Sequence, residues 1–98
     1  MIIDRIEHPI AEDTWRYKLQ DGRIISSRLV VGQPSKIKDD PNGDWICPVW
    51  IEHFTPKITP AYGVGPVDAL MNAMKLVSSF FEKYKDSLTD IGTSNNKD

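Results

Sequence analysis

Along the first half of the chain apolar residues alternate with polar ones, and along the second half they recur at steps of three and four. The first pattern belongs to strands, whose side chains point to opposite faces in turn, and the second to an amphipathic helix. Ile2, Ile6 and Ile10 among polar neighbours predict a first strand ending near Pro9, a residue that cannot donate to a ladder. Trp15, Tyr17 and Leu19 alternate with Arg16 and Lys18, which predicts a strand with one apolar and one cationic face. Asp21-Gly22 then predicts a two-residue hairpin turn of type I′, which needs positive φ at both central positions. The return strand runs from Arg23 to Val31, with Ile25, Leu29 and Val31 on one face and Ile24, Arg28 and Val30 on the other.

Gly32 to Gly43 is rich in turn formers and solvated charges and reads as a surface loop. The strand after it, Asp44 to Phe54, is apolar on both faces: Trp45, Cys47, Val49 and Ile51 against Ile46, Trp50 and Phe54. Pro48 inside it predicts an edge position or a bulge. Thr55 to Pro66 holds three prolines and two glycines before the last, with room for a very short strand around Ala61-Tyr62.

Gly65-Pro66 opens the helix, because proline fits the first helical position, where its missing N–H is no loss. Val67, Leu70, Met74, Val77, Phe81, Tyr84 and Leu88 form the stripe expected to lie on the sheet. Ala69, Ala73, Leu76 and Phe80 form a second seam, displaced by about a quarter turn or more. From 89 to 98 the chain is polar and lacks periodicity, so a mobile tail is expected there. The fold class is therefore α+β: one domain over residues 1–88, with four antiparallel strands, a short fifth, and a single long C-terminal helix across one face. Trp15, Leu29, Trp45, Cys47, Ile51, Leu70, Met74, Val77 and Phe81 are the expected core.

Composition narrows the function. Twelve Lys plus Arg against fourteen Asp plus Glu in 98 residues give a net charge of −2, and 40% of the residues are hydrophobic. This is ordinary globular composition, which excludes an intrinsically disordered chain and a polybasic nucleic-acid arm. One cysteine fits a reducing, cytoplasmic setting, and the charged start Met1-Ile-Ile-Asp-Arg lacks the apolar stretch of a signal peptide. No stretch approaches the length of a membrane span, so no membrane partner is expected.

Candidate chemistry is sparse. His8 and His53 each follow a glutamate, but a metal site needs three or four converging ligands and no spacing motif supplies them. Cys47 shares a face with Trp45 and Ile51 and reads as a small buried hydrophobe. In the loop from Lys38 to Asp44, placing Gly43 at the invariant sixth position of a calcium loop puts Lys38 and Val49 where carboxylates are required. Gly63 and Gly65 make no phosphate cradle, because Pro66 removes an amide. No Ser, His and carboxylate set stands at a catalytic spacing, so no catalytic, cofactor-binding or metal residue is assigned, no cofactor is expected, and the protein is read as not an enzyme.

Excess apolar positions on both sheet and helix predict a non-catalytic interaction module that forms a homodimer or binds a protein partner. The candidate interface is Ile46, Trp50 and Phe54 on the sheet, with Leu76 and Phe80 as an alternative helical seam. The alternative function is a small-ligand binder using a pocket between the sheet and the 55–66 loop. Arg16, Lys18 and Arg28 on one hairpin face raise nucleic-acid binding as a third reading, which the negative net charge argues against.

Gly32-x-Pro34, Asp44-Trp45-x-Cys47-Pro48 with Ile51, Ala61-x-Gly63-Val64, and Ala69-Leu70 followed by Ala73 resemble a small bacterial family, domain-of-unknown-function family 6968. The similarity runs from the hairpin to the helix, and its most specific piece is the Asp-Trp-x-Cys-Pro string. Asp68 departs from it, standing where the family more often has glutamine, and Gly65-Pro66 replaces a more usual acidic and small pair. The resemblance implies a small antiparallel sheet with one C-terminal helix in a bacterial cytosol, and transfers no functional residue.

Overall fold

The structure, a computed structural model, describes residues 5–19, 21–84 and 88–93. Six strands and one helix follow in the order β1 (Pro9–Lys18), β2 (Ile24–Gly32), β3 (Ser35–Lys36), β4 (Trp45–Ile51), β5 (Thr59–Gly63), α1 (Pro66–Tyr84) and β6 (Leu88–Thr93). All ladders are antiparallel. β5 pairs Trp45 to Val49 of β4 and so overlaps both the β3 ladder at Trp45 and Ile46 and the β2 ladder at Val49. A strand has two edges, so β2 and β3 share one edge of β4 while β5 occupies the other. β1 then lies beyond β2, and β6 beyond β1.

The fold is the expected α+β sheet under one helix, with differences that have physical causes. Among the described residues of the first segment no strand precedes Pro9; residues 5–8 cross the outer face of the sheet, and Ile2 lies outside the described residues. A register shift between Pro9 and Ala11 inserts Ile10 as a bulge residue. The hairpin is closed by a three-residue loop and not by a two-residue turn. Leu19 N–H donates to Arg23 C=O at 2.7 Å and Gly22 N–H to Leu19 C=O at 2.9 Å, with positive φ at Gly22 (92°) but not at Asp21. Asp21 instead accepts from Arg23 N–H and Nε, and these bonds hold its carboxyl below the ordinary range.

Pro48 sits neither at an edge nor in a bulge. It falls between the β2 and β3 ladders, and Pro60 faces it from β5, so its missing N–H takes no bond from either side. The residues expected to form a tail from 89 onward include β6, which pairs with β1 through Trp15↔Thr93 and Tyr17↔Leu88. The helix accordingly ends at Tyr84, and residues 94–98 lie outside the described residues.

The core lies between the sheet and α1. Trp15, Leu29, Cys47, Ile51 and Val77 are buried as expected, and Trp45, Leu70 and Phe81 are partly buried against them. Met74 is 40% exposed. The helix is turned from the expected stripe toward the second seam, burying Ala69, Ala73, Val77 and Phe80. Its small alanines let the backbone sit on β5 and β4, and its C-terminal half closes an aromatic cluster. Phe80 and Tyr84 rings lie 5.0 Å apart, Phe54 is 5.0 Å from Phe80 and 4.6 Å from Tyr17, and Phe81 is 3.7 Å from Trp15. Such pairs contribute about 0.5–1.5 kcal/mol each beyond their buried area.

Candidate functional site

Two surfaces remain once the core is assigned. The first is on α1. Of seven large exposed hydrophobic side chains among the described residues, five (Tyr62, Val64, Val67, Met71 and Met74) run from the end of β5 along the helix. At about 100° per residue, Val67, Met71 and Met74 fall within one narrow arc, roughly opposite Ala69. Asp68 and Lys75, two turns apart, share one flank of that arc. Asp68 also caps the helix entry, its Oδ2 accepting from Val64 N–H at 3.0 Å, while Asn72 Nδ2 donates to Tyr62 C=O at 2.6 Å.

The second surface is the outer face of the sheet. Ile6 lies across it, close enough that a Cβ on Gly32 would meet the Ile6 side chain at 2.7 Å and Pro48 at 2.6 Å. Gln33 N–H donates to His8 C=O at 2.8 Å and anchors this crossing. Beside Ile6 opens a concavity of about 580 Å³. Its floor is Glu12, Arg28, Val30 and Trp50, and its far wall is the loop Pro56, Lys57 and Ile58. Arg28 Nη2 donates to Glu12 Oε1 at 2.9 Å, and the guanidinium lies 5.6 Å from the Trp50 ring centre. Arg28 N–H further donates to Glu52 Oε1 at 3.0 Å.

The five candidate interface residues do not come together. Ile46 and Trp50 are on the outer face, Ile46 buried and Trp50 half-buried beneath Arg28. Phe54 is not on that face. β4 ends at Ile51, and a turn with positive φ at His53 (72°) breaks the alternation and delivers Phe54 to the aromatic cluster under the helix. Phe80 belongs to the same cluster and Leu76 packs against the core, so the alternative seam is internal. The leftover helical strip, Val67, Met71 and Met74, lies on a different arc, and Met71 had no place in either stripe read from the sequence.

The other candidate groups occupy structural positions. Cys47 is a free thiol with no exposure, its Sγ 3.3 Å from Gly32 C=O, and burial pushes its pKa up, away from nucleophilic use. Asp40 closes its own loop, Oδ2 accepting from Asp44 N–H at 2.7 Å and its carbonyl from Gly43 N–H at 3.0 Å. His8 and His53 are exposed. Among the described residues no three of His, Cys, Asp and Glu converge, and no helix is long and apolar enough to cross a membrane. No family model, no curated protein and no solved structure matches this chain.

Proposed function

We propose that this protein is a non-catalytic interaction module that self-associates, with a second copy covering the apolar strip of α1. The observation that carries the reading is the concentration of exposed apolar side chains on one helical arc, Val67, Met71 and Met74, continuous with Val64 and Tyr62. The flank of the strip favours a second copy over a foreign partner. In an antiparallel pair of α1 helices related by a two-fold axis between positions 71 and 72, Lys75 of each copy stands level with Asp68 of the other. The two Met71 side chains then meet at the axis. Such a surface is self-complementary, as a closed dimer requires. The buried free thiol and the Asp44-Trp45-x-Cys47-Pro48 resemblance support a bacterial cytosolic setting.

Sedimentation velocity over about 5–200 μM tests this reading. Wild type sediments as a dimer, Met71→Glu as a monomer, and Trp50→Ser as wild type. A wild type that stays monomeric throughout, or a dimer indifferent to Met71→Glu, overturns it.

A further inference from the structure

We propose that the concavity on the outer face of the sheet is a binding site for a small planar anion, an aromatic or heteroaromatic acid. Its volume of about 580 Å³ is that of a small-molecule site. Val30, Trp50 and Ile58 give it apolar surface suited to a flat ring. Its lining charge is the reverse of the whole chain's: Arg5, Arg28 and Lys57 line it against one carboxylate, Glu12, in a protein whose net charge is −2. Arg5 is paired outside the lining to Glu7 at 3.7 Å. A concave surface with an excess of one sign concentrates ligands of the other.

The cations are also arranged to be used. Glu12 and the Trp50 ring hold the Arg28 guanidinium in place at 2.9 Å and 5.6 Å, and the ion pair leaves most of its N–H groups uncommitted. A planar guanidinium fixed over an aromatic ring is matched to a carboxylate in two-point contact. Lys57, on the opposite wall, has no ion pair among the described residues. An acid group entering between Arg28 and Lys57 neutralises the unpaired charge while its ring covers Val30 and Ile58. Glu12, already paired with Arg28, orients that guanidinium, and the pairing offsets its repulsion of an incoming anion. The site lies on the face of the sheet away from α1, so it is independent of self-association.

The test is a ¹H–¹⁵N NMR titration with 1-naphthoate as probe and neutral 1-naphthalenemethanol as its control, run on wild type and on the Met71→Glu variant. Naphthoate is expected to shift the Trp50 indole N–H and the Val30 and Ile58 amides saturably, with half-saturation below about 1 mM. The alcohol binds at least about fivefold more weakly, and Lys57→Glu weakens naphthoate by about tenfold. Lys57 is exposed in a loop, and amide dispersion confirms that its variant is folded. Lack of saturation, equal binding by Lys57→Glu, or shifts centred on Val67 to Met74 overturn the proposal. Met71→Glu binds naphthoate as wild type does, so a failed dimer and a failed site give different results.

Discussion

Ala69 sits directly over Gly63: a Cβ on Gly63 would lie 2.3 Å from the Ala69 backbone nitrogen and 2.7 Å from its Cα. This contact explains the rotation of α1. With no side chain at Gly63 and methyl groups alone at Ala69 and Ala73, the helix backbone reaches the sheet along that line, and both alanines have no exposed surface. Val67 and Met74 are thereby turned outward.

Gly63→Ala is expected to destabilise the protein by about 3 kcal/mol, the upper part of the range for overpacking, because the obstructing atoms are helix backbone. Gly65 has open space around it and opens the helix, its carbonyl accepting from Ala69 N–H at 3.0 Å. Gly65→Ser should therefore be neutral or stabilising by a few tenths of a kcal/mol, roughly the gain of a better N-cap. Urea unfolding of the two variants measures the contrast.

Phe54 and Trp50 should separate in the same assay. Phe54→Ala opens the aromatic cluster between Tyr17, Phe80 and Tyr84 and is expected to cost about 2–4 kcal/mol. Trp50→Ser, on the outer face, should cost about 1 kcal/mol or less. Equal losses would place Phe54 outside the core.

Tyr17 is 1% exposed, and no described group meets its hydroxyl in hydrogen-bond geometry. The Ser27 hydroxyl lies near enough to ease its burial in part, but donates to the Glu52 carbonyl. Removing an unsatisfied buried hydroxyl relieves a desolvation cost, so Tyr17→Phe is expected to be neutral or stabilising by up to about 1 kcal/mol. A loss above about 1 kcal/mol would show that the hydroxyl has a partner.

Burial holds both the Cys47 thiol and the Tyr17 phenol above their ordinary values of 9.0 and 10.0. Near neutral pH both are protonated in the folded and unfolded chain alike, and neither gives a slope. Above pH 9.0 the unfolded chain loses the thiol proton that the folded one keeps, and above 10.0 the phenol proton as well. The unfolded state then binds fewer protons, so stability falls as pH rises, by up to about 1.4 kcal/mol per pH unit for each group. Urea midpoints measured from neutral to alkaline pH should show this decline, with Cys47→Ala removing its first part. A flat profile would contradict the burial of both groups.

The residues best read from sequence are those whose signal is local. Alternation at Trp15 and Tyr17 and at Cys47, Val49 and Ile51 follows from strand geometry, and each of these side chains is in the core. Asp21-Gly22 locates the hairpin, and Pro66 begins the helix where its missing N–H is harmless. The 55–66 segment carries β5, the short strand expected there. A pocket between the sheet and the 55–66 loop is an alternative expectation with no residues assigned to it; Arg5 and Lys57, which line the concavity beside that loop, lie too far apart in the chain to be associated from sequence.

The sequence by itself determined that the hairpin, β4 and β5 are extended and that α1 is helical, because backbone geometry imposes periods of two and 3.6 on a chain that buries one face. β3 and β6 carry no such period and read as loop and tail. For the helix, the tertiary structure alone decided which face is buried. Helix rotation depends on closest approach at Gly63, Ala69 and Ala73, and a count of apolar residues outweighs small ones for the opposite reason. Phe54 changes sides at one turn residue, His53, because strand parity does not survive a turn. β6 is recruited by the free edge of β1, so its pairing depends on where α1 returns the chain and not on the composition of Leu88–Thr93. The outer concavity likewise exists because residues 5–8 fold back over Gly32 and Pro48, a contact between segments that no local period encodes.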